Sequence, residues 1–218
     1  MPPGTDHAEL QRRVDAHVWF HSMRLAPGVV TRGVKSEEII QAESDAVFAG
    51  VAFEGASVLD IGAWNGHFSF ETKRRGAARV LATDSVCWTD PRYRGRETIE
   101  LARQALGLDI ELQAMVPHEL DPALHGTFDI VLLLGVFYHL LDPLSLLPRL
   151  RAATGKLLLL ETLLEARDTL RPQMVFLPGA EGGDASNWWG PNIACMFHLL
   201  RIHGFSRILF REHPCGLP

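Results

Sequence analysis

The sequence is poor in cysteine, and its few cysteines form no recognisable pattern. Cys87, Cys195 and Cys215 lie far apart and include no CxxC pair. An odd number of widely spaced cysteines excludes a disulfide scaffold, and the lack of CxxC pairs excludes a zinc cage. A reducing compartment, the cytoplasm, is therefore predicted, with no metal site.

Long hydrophobic runs and an excess of positive charge are missing as well. The longest apolar run, around residues 130–137, is too short to cross a bilayer, and the polar first residues contain no signal-peptide core. An unexported protein with no membrane partner is expected. The net charge of -5 disfavours nucleic acid as a partner without excluding it, because a local basic patch is compatible with an acidic total.

The composition that is present suits one packed α/β domain. The chain has 218 residues, of which 47% are hydrophobic and 22% charged. Residues 1–50 are predicted to form an N-terminal helical cap. It contains an amphipathic helix over 7–23, a Pro- and Gly-containing loop over 25–33, and a second helix that begins after Ser36 as N-cap. Residues 51–218 are predicted to form the core.

Short apolar runs alternate with helical segments throughout the core. This alternation predicts a Rossmann-like sheet of parallel strands, with helices on both faces. A Gly- and Asp-rich loop follows over 179–190, then a helix from near Pro191 to Gly204, which presents apolar side chains to the core, and a last strand over 205–210. The predicted parallel strands are 57–61, 79–83, 110–115, 128–134 and 156–161, and the inward residues of the helix are Ile193, Met196, Phe197, Leu200 and Ile202.

A glycine turn follows the first predicted strand. Residues 60–66, Asp-Ile-Gly-Ala-Trp-Asn-Gly, run from a strand into a turn and a helix, which lets a ligand approach the carboxyl end of the strand. The DxGxxxG spacing favours a cofactor with a carboxylate, an amine and a sulfonium over one with a pyrophosphate. Asp84 ends the next strand, where its carboxylate can accept both ribose hydroxyls of a nucleoside. The competing interpretations are an ordinary strand–turn–helix corner, and a loop-capping role for Asp84.

Tyr138 and His139 follow the buried strand 128–134 and so lie at the edge of the sheet where ligands bind. His139 is a candidate general base, although capping of the next segment is an equally good interpretation. Trp188 and Trp189 adjoin the glycine-containing loop, where they either close over an acceptor or pack the loop against the core.

Taken together, these segments resemble one methyltransferase family along nearly the whole chain. The family comprises the S-adenosylmethionine-dependent (class I) enzymes that modify the tRNA wobble uridine (5-oxyacetic acid/5-methoxyuridine), and their small-molecule relatives. The resemblance implies the class I fold, S-adenosylmethionine as cofactor, and Tyr138 and His139 facing the reacting methyl group. Its motifs are Trp19-Phe20-His21-Ser22, residues 27–33, residues 128–143, Leu160-Glu161-Thr162, Pro178-Gly179, and Asn192 before a helix ending in Gly204-Phe205.

The predicted site has three groups of residues. The catalytic pair is Tyr138 and His139. Met115 and Val116 stand where an adenine pocket would lie, although core packing explains them equally well. The predicted cofactor-binding residues are Asp60, Gly62, Ala63, Trp64, Asn65, Gly66, Asp84, Ser85, Met115, Val116 and Gly135, and the predicted acceptor-binding residues are Trp19, Arg24, Arg32, Trp188, Trp189 and Asn192.

Several positions depart from the family pattern. Relatives that use a carboxylated cofactor have a lysine at the position of Pro27 and an arginine from a C-terminal tail, so ordinary S-adenosylmethionine is expected here. Trp64 replaces a small residue, and its ring either narrows the cofactor pocket or points into the cap. Residues 211–218 contain two prolines and are too few for the final antiparallel strand of the class, which is expected to be missing or replaced by another segment or a partner chain, such as that of a homodimer.

Three functions are compatible with these observations. The leading one is methyl transfer from S-adenosylmethionine to a hydroxyl or amine of a small metabolite, which the acidic charge favours. The alternative is methylation of a tRNA wobble-uridine modification, which would need a basic, aromatic-lined surface. The third is a regulatory protein that binds the cofactor without turnover, because a fold alone does not guarantee catalysis.

Overall fold

The computed structural model describes residues 6–178 and 184–212. They belong to two compact units, of which the first extends to Val116 and the second runs from Pro117 to Glu212. The predicted division at residue 50 lies inside the first unit and stays a prediction. Among the described helices, none is long and apolar enough to cross a membrane.

The first unit contains five helices and five strands in its described part. In chain order they are α1 (His7–Asp15), β1 (Arg24–Ala26), β2 (Val29–Val30), α2 (Glu37–Val47), β3 (Ser57–Ile61), α3 (His67–Arg74), β4 (Arg79–Asp84), α4 (Val86–Thr89), α5 (Gly95–Leu106) and β5 (Glu111–Ala114). The second unit contains α6 (Pro122–His125), β6 (Phe128–Leu134), α7 (Leu147–Ala153), β7 (Thr154–Glu161), β8 (Met174–Phe176), β9 (Trp189–Pro191) and α8 (Ile193–Ile202), with 3-10 turns at Pro117–Glu119 and Phe137–His139.

The N-terminal segment is less helical than predicted. Helix α1 ends at Asp15 rather than continuing to residue 23, because side chains take the carbonyl groups of its last turn. Trp19 Nε1 donates to Val14 O at 2.9 Å, and His17 Nδ1 lies 2.8 Å from Arg13 O. The predicted loop 25–33 contains the antiparallel hairpin of β1 and β2, so the segment is not purely a helical cap. Helix α2 begins as predicted, with the Ser36 hydroxyl accepting from Ile39 N.

The parallel strands agree closely with the predicted ones. In the first unit, β4 pairs in parallel with β3 on one side and with β5 on the other. In the second unit, β6 pairs in parallel with β7. Strands β3 and β6 have the predicted bounds, β4 extends to Asp84, β5 spans only Glu111–Ala114, and β7 begins at Thr154. The predicted α/β fold with parallel strands is therefore confirmed, and the sheet has five strands.

The region before α8, for which the sequence predicts a loop, contains a short antiparallel ladder. Residues 179–183 of that predicted loop lie outside the described residues. Phe176 of β8 pairs with Trp189 of β9, and Met174 pairs with Pro191. Helix α8 is present as predicted and is capped by Asn192, but Ile202 is 74% exposed and does not face a core. Its place in the last turn leaves that side chain in solvent.

The predicted last strand, 205–210, does not form. Within the described residues 205–212 there is no strand. The apolar residues of this segment suggest a strand, but a strand also needs a hydrogen-bonding neighbour, and Leu209 stays 70% exposed. The described part of the five-stranded sheet contains no antiparallel strand, while residues 213–218 lie outside the description.

Candidate functional site

The turn between β3 and α3 is hydrogen-bonded to the neighbouring strand β4. The amides of Gly62 and Ala63 both donate to Thr83 O, at 2.8 and 3.0 Å. Gly62, Trp64 and Gly66 have φ angles of 83°, 45° and 86°, all in the left-handed region. Glycine tolerates this region easily and tryptophan does not, so Trp64 needs support from its neighbours.

Trp64 receives that support from aromatic contacts within the first unit. Its ring stacks on Phe20, with centroids 4.4 Å apart and planes 9° apart, and meets the edge of Tyr93 at 5.6 Å. Trp88 Nε1 donates to Trp64 O at 2.7 Å. The ring therefore points into the N-terminal segment, which was the second of the two predicted placements.

Asn65 joins the turn to two other segments. Its Oδ1 accepts from the amides of Phe20 (2.7 Å) and His21 (3.3 Å), and its Nδ2 donates to Thr98 Oγ1 at 2.6 Å. Asn65 is fully buried. Its side chain thus holds the turn in place, and any cofactor contact from this predicted residue stays a prediction.

The contacts of Phe20, His21 and Thr98 with the turn could not be inferred from local sequence patterns. The only signal was the motif that contains Phe20 and His21, which the family resemblance includes without assigning it a role.

Asp84 ends β4 and presents its carboxylate to the glycine turn. Oδ2 accepts from Trp64 N at 3.0 Å, and Oδ1 accepts from Cys87 N at 3.1 Å. Burial raises the pKa of Asp84, and the amide hydrogen bonds oppose that rise. Each carboxylate oxygen keeps acceptor capacity beyond its one amide, so the group can still accept ligand hydroxyls.

Asp60, at the end of the parallel neighbour β3, is a second buried acid. Ser69 Oγ donates to its Oδ2 at 2.5 Å, and the residue is 3% exposed. Burial raises the pKa of Asp60 to about 6; the Ser69 hydrogen bond opposes this rise, and the charge of Asp84 adds to it. A bound cation near these acids would favour their ionised forms. The pair therefore suits a ligand with an ammonium group and hydroxyls.

The other predicted cofactor residues of this unit lie beside Asp84. Met115 N donates to Asp84 O at 2.9 Å, and the Met115 side chain is 4% exposed. Val116 is 45% exposed. Ser85 precedes α4, and its carbonyl accepts from the amides of Trp88 and Thr89. The first unit thus brings together the glycine turn, both acids and an apolar side chain.

A pair of buried histidines lies behind the turn. The rings of His21 and His67 have centroids 5.8 Å apart, and His67 Nε2 lies 2.6 Å from Ser44 Oγ. The Ser44 hydroxyl donates to Ile40 O, so it accepts from His67 Nε2–H. Burial lowers the pKa of His67 to about 4, with Arg74 and Arg75 contributing and Glu71 opposing, and burial lowers that of His21. Both rings are neutral at physiological pH.

We expect His67→Gln to make the protein less sensitive to acid. A folded His67 stays neutral down to about pH 4, whereas an unfolded histidine takes up its proton near 6.5. The unfolded state therefore binds the extra proton between these values, and stability falls as the pH is lowered. Glutamine can still donate to Ser44 and does not titrate.

Between pH 7.5 and 4.5 the wild type should lose about 2.5 kcal/mol relative to His67→Gln. Urea unfolding at the two pH values measures this difference, because Asp60 and Asp84 titrate in both proteins and their contributions cancel. An equal stability gap at both pH values would contradict the expected titration.

In the second unit, Gly135, Tyr138 and Glu161 converge at the carboxyl end of the strands. Gly135 has a φ of 68°, and a Cβ at this position would lie 3.5 Å from Glu161 Oε2 and 3.7 Å from the Tyr138 hydroxyl. Burial raises the pKa of Tyr138, and the negative charges of Glu161 and Asp184 add to the effect. Tyr138 therefore keeps its proton at neutral pH, and its predicted catalytic role stays a prediction.

His139 and the tryptophans are connected through the loop before β9. His139 Nδ1 contacts Ser186, and its ring centroid lies 4.2 Å from that of Tyr138. Trp188 N donates to Tyr138 O at 2.9 Å, and Trp189 Nε1 donates to Leu141 O at 3.1 Å. The described part of the loop is therefore docked on the Tyr138–His139 turn, and movement of the tryptophans as a lid stays a prediction.

The remaining predicted acceptor residues mostly have contacts within the protein. Trp19 is 4% exposed, and Arg24 forms an exposed ion pair with Glu37. Asn192 caps α8 through Cys195 N and donates from Nδ2 to two carbonyl groups. Arg32 is exposed and has no ion pair with another described residue. Acceptor binding by these four residues stays a prediction.

The sequence matches a family described as a methyltransferase domain over residues 37–211. It is also similar to proteins named tRNA U34 carboxymethyltransferase. The one from Dichelobacter nodosus is 32% identical over 171 residues, covering 77% of this chain and 50% of that protein. The one from Pseudomonas fluorescens is 30% identical over 158 residues, covering 71% of this chain and 47% of that protein. The chain spans about half the length of these curated relatives.

Solved structures resemble the chain at the level of the fold. The N-terminal domain of EvdMO1 with SAH bound gives a TM-score of 0.68 at 23% identity, covering 93% of this chain and 89% of that domain. The same domain in the presence of SAH and D-fucose gives 0.65 at 22% identity, covering 93% and 88%. These likenesses agree with the α/β architecture described above.

Proposed function

Since the chain belongs to the family of methyltransferase domains, we propose that it transfers a methyl group from S-adenosylmethionine to an acceptor hydroxyl. The observation that carries the proposal is the Asp84 carboxylate, which is anchored to the Trp64 amide of the glycine turn at 3.0 Å. An acceptor of hydrogen bonds at the end of the second strand supports the proposal, because a ribose binds to an acid at this position in Rossmann-like sheets.

The residues of the turn fit that cofactor. Asp84 would accept the ribose hydroxyls, Asp60 would favour the cationic amino group, and Met115 offers apolar surface for adenine. When bound, S-adenosylmethionine supplies a methyl carbon on a sulfonium, whose carbon–sulfur electron pair leaves with the sulfur. Calorimetric titration with S-adenosylmethionine and S-adenosylhomocysteine tests the proposal, and absence of binding to both would refute it.

The second unit supplies the groups proposed to act on the acceptor. Tyr138 keeps its proton because burial and the nearby carboxylates raise the pKa of its phenol, so it would orient the acceptor oxygen by donating to it. His139 is the proposed base that removes the hydroxyl proton.

Changing His139 to glutamine should slow turnover and leave cofactor affinity unchanged. Glutamine keeps a polar side chain of similar length but cannot take up a proton, so a loss of about 100-fold in kcat is expected for a general base. Calorimetry and rates of product formation are measured on the same preparations. His198→Gln, which changes an exposed histidine on α8, is the matched control. A normal rate for His139→Gln would assign this residue a structural role.

For the acceptor, the names of the relatives favour the wobble uridine of tRNA over the small metabolite that the sequence favours. The net charge of -5 favours the small hydroxylated molecule as the second candidate. Methyl-labelled S-adenosylmethionine, incubated with the protein and either total tRNA or a protein-free metabolite extract, separates the two. Label in tRNA, with salt-sensitive binding in a gel shift, supports the first acceptor. Label confined to small molecules supports the second.

A further inference from the structure

Asp184, Ser186 and His139 form a hydrogen-bonded chain in the second unit. Ser186 Oγ lies 2.6 Å from Asp184 Oδ1 and 2.9 Å from His139 Nδ1. The carbonyl oxygen of Ser186 also lies 3.1 Å from His139 Nδ1. One serine therefore contacts the same ring nitrogen with both its hydroxyl and its backbone.

These contacts determine which nitrogen of His139 carries the proton. A carbonyl oxygen only accepts hydrogen bonds, so Nδ1 must carry a hydrogen in order to bond to Ser186 O. The Ser186 hydroxyl directs its own proton to Asp184, so its oxygen is free to accept from the same Nδ1–H. The neutral ring then has its lone pair on Nε2. Nε2 has no hydrogen bond to another described residue.

The loop that supplies these groups is anchored independently of them. Trp188 N donates to Tyr138 O at 2.9 Å, and β9 pairs with β8 immediately after it. Asn187 N also donates to Asp184 O, at 3.2 Å. The backbone thus holds Ser186 beside His139 even without the side-chain contacts.

Asp184 is ionised in this arrangement. Burial raises the pKa of Asp184, but the hydroxyl and amide of Ser186 and the nearby His139 outweigh burial and hold it below its ordinary value. The other charged or titratable groups on this turn are Tyr138 and, beside it, Glu161. The Asp184 carboxylate is thus a fixed negative charge on the serine hydroxyl that contacts His139.

We propose that Asp184 and Ser186 are positioning residues that hold His139 as its Nδ1–H tautomer, so that Nε2 can take the proton of the acceptor hydroxyl. The inference rests on the proposed methyl transfer. The proton moves from the acceptor oxygen to Nε2, and the resulting imidazolium keeps its Nδ1–H bond to Ser186. The serine hydroxyl does not change its protonation state, and Asp184 stabilises the new positive charge.

The tautomer can be measured directly by nitrogen-15 NMR of histidine-labelled full-length protein at pH 8, with the His139 signals identified from the spectrum of His139→Gln. In the wild type we expect His139 mainly as the Nδ1–H form. Ser186→Ala and Asp184→Ala should each increase the Nε2–H fraction, whereas Ser186→Thr, which keeps the hydroxyl, should retain the wild-type ratio. Asp168→Ala, an exposed acid of the same unit, is the charge control and should leave the ratio unchanged.

Kinetics give a second readout once the acceptor is identified. Ser186→Ala should lower kcat by about tenfold, which lies below the full effect of a general base because Nδ1 keeps its bond to the carbonyl. KM and the affinity for S-adenosylmethionine should not change, and Ser186→Thr should restore kcat.

The inference is overturned if wild-type His139 is mainly Nε2–H, or if neither Ser186→Ala nor Asp184→Ala changes the ratio. Failure of this inference can be distinguished from failure of the proposed function. A correct tautomer with no binding of S-adenosylmethionine would remove the function and leave the positioning intact. Methyl transfer by a protein whose His139 is Nε2–H would remove the positioning alone.

Discussion

Replacing Asp84 by alanine is expected to weaken S-adenosylmethionine binding by about 10³-fold, because hydrogen bonds to a charged acceptor contribute about 1.5–3 kcal/mol each. Two ribose hydroxyls would lose their acceptor. The substitution also leaves the amides of Trp64 and Cys87 without the carboxylate that accepts from them. Both the ligand and the turn that receives it are therefore affected.

Two further variants separate these effects. Asp84→Asn keeps an oxygen for only one of the two amides and loses the negative charge, so affinity should fall by about 10²-fold, less than in Asp84→Ala. Asp109→Ala removes an exposed acid of the same unit, which has no hydrogen bond to another described residue, and should bind as the wild type does. Calorimetry gives the affinities, and thermal melting shows whether each variant is folded. Wild-type affinity in folded Asp84→Ala would refute the proposed ribose contact.

The parallel strands could be predicted because they are buried by the helices that cover them. Strands β3 and β6 are mostly apolar in the sequence, and their bounds in the structure match the predicted ones. A mostly apolar run bounded by turns is typical of a parallel strand buried on both faces. The positions of Asp60, Asp84 and His139 followed, because each comes at or just after the end of a strand.

The segments that were predicted wrongly depend on contacts between distant residues. Helix α1 ends early where Trp19 donates to Val14 O, and the following residues are held by Asn65, 45 positions away from Phe20. Residues 205–210 have enough apolar side chains for a strand but form none in the structure. Local periodicity does not show whether a distant segment will bind these residues.

The same reason explains what was missed at the site. Ser186 reaches His139 across 47 positions, from a loop that the sequence predicts only as flexible. Whether His139 acts as a general base or only holds the turn depends on this contact, which no local sequence pattern reveals. The ring placement of Trp64 likewise depends on Phe20, which stacks on it at 4.4 Å.

Gly66→Ala should lower the free energy of unfolding by about 4 kcal/mol. An alanine in the left-handed backbone region costs about 1–2 kcal/mol, and overpacking of a buried site costs about 1–3 kcal/mol. Gly66 has a φ of 86°, and a Cβ there would lie 2.6 Å from Ile99 Cδ1 and 2.9 Å from Phe70 Cε2. Both neighbours are fully buried, so neither can move into solvent. The glycine therefore lets the start of α3 pack directly on α5, and this packing sets the position of the cofactor turn.

Gly50 is the matched control, because it has a φ of 74° and a Cβ at this position would meet no other atom within 4 Å. Gly50→Ala should thus cost only the backbone strain, about 1–2 kcal/mol. Ile99→Val removes the atom nearest to the added methyl group, so in the Gly66→Ala background the two changes should combine to less than the sum of their separate effects. Urea unfolding of the four variants measures all of these differences. Equal losses for Gly66→Ala and Gly50→Ala would mean that close packing on Ile99 does not require glycine, and that the turn is held by its hydrogen bonds to Thr83 and Asp84 instead.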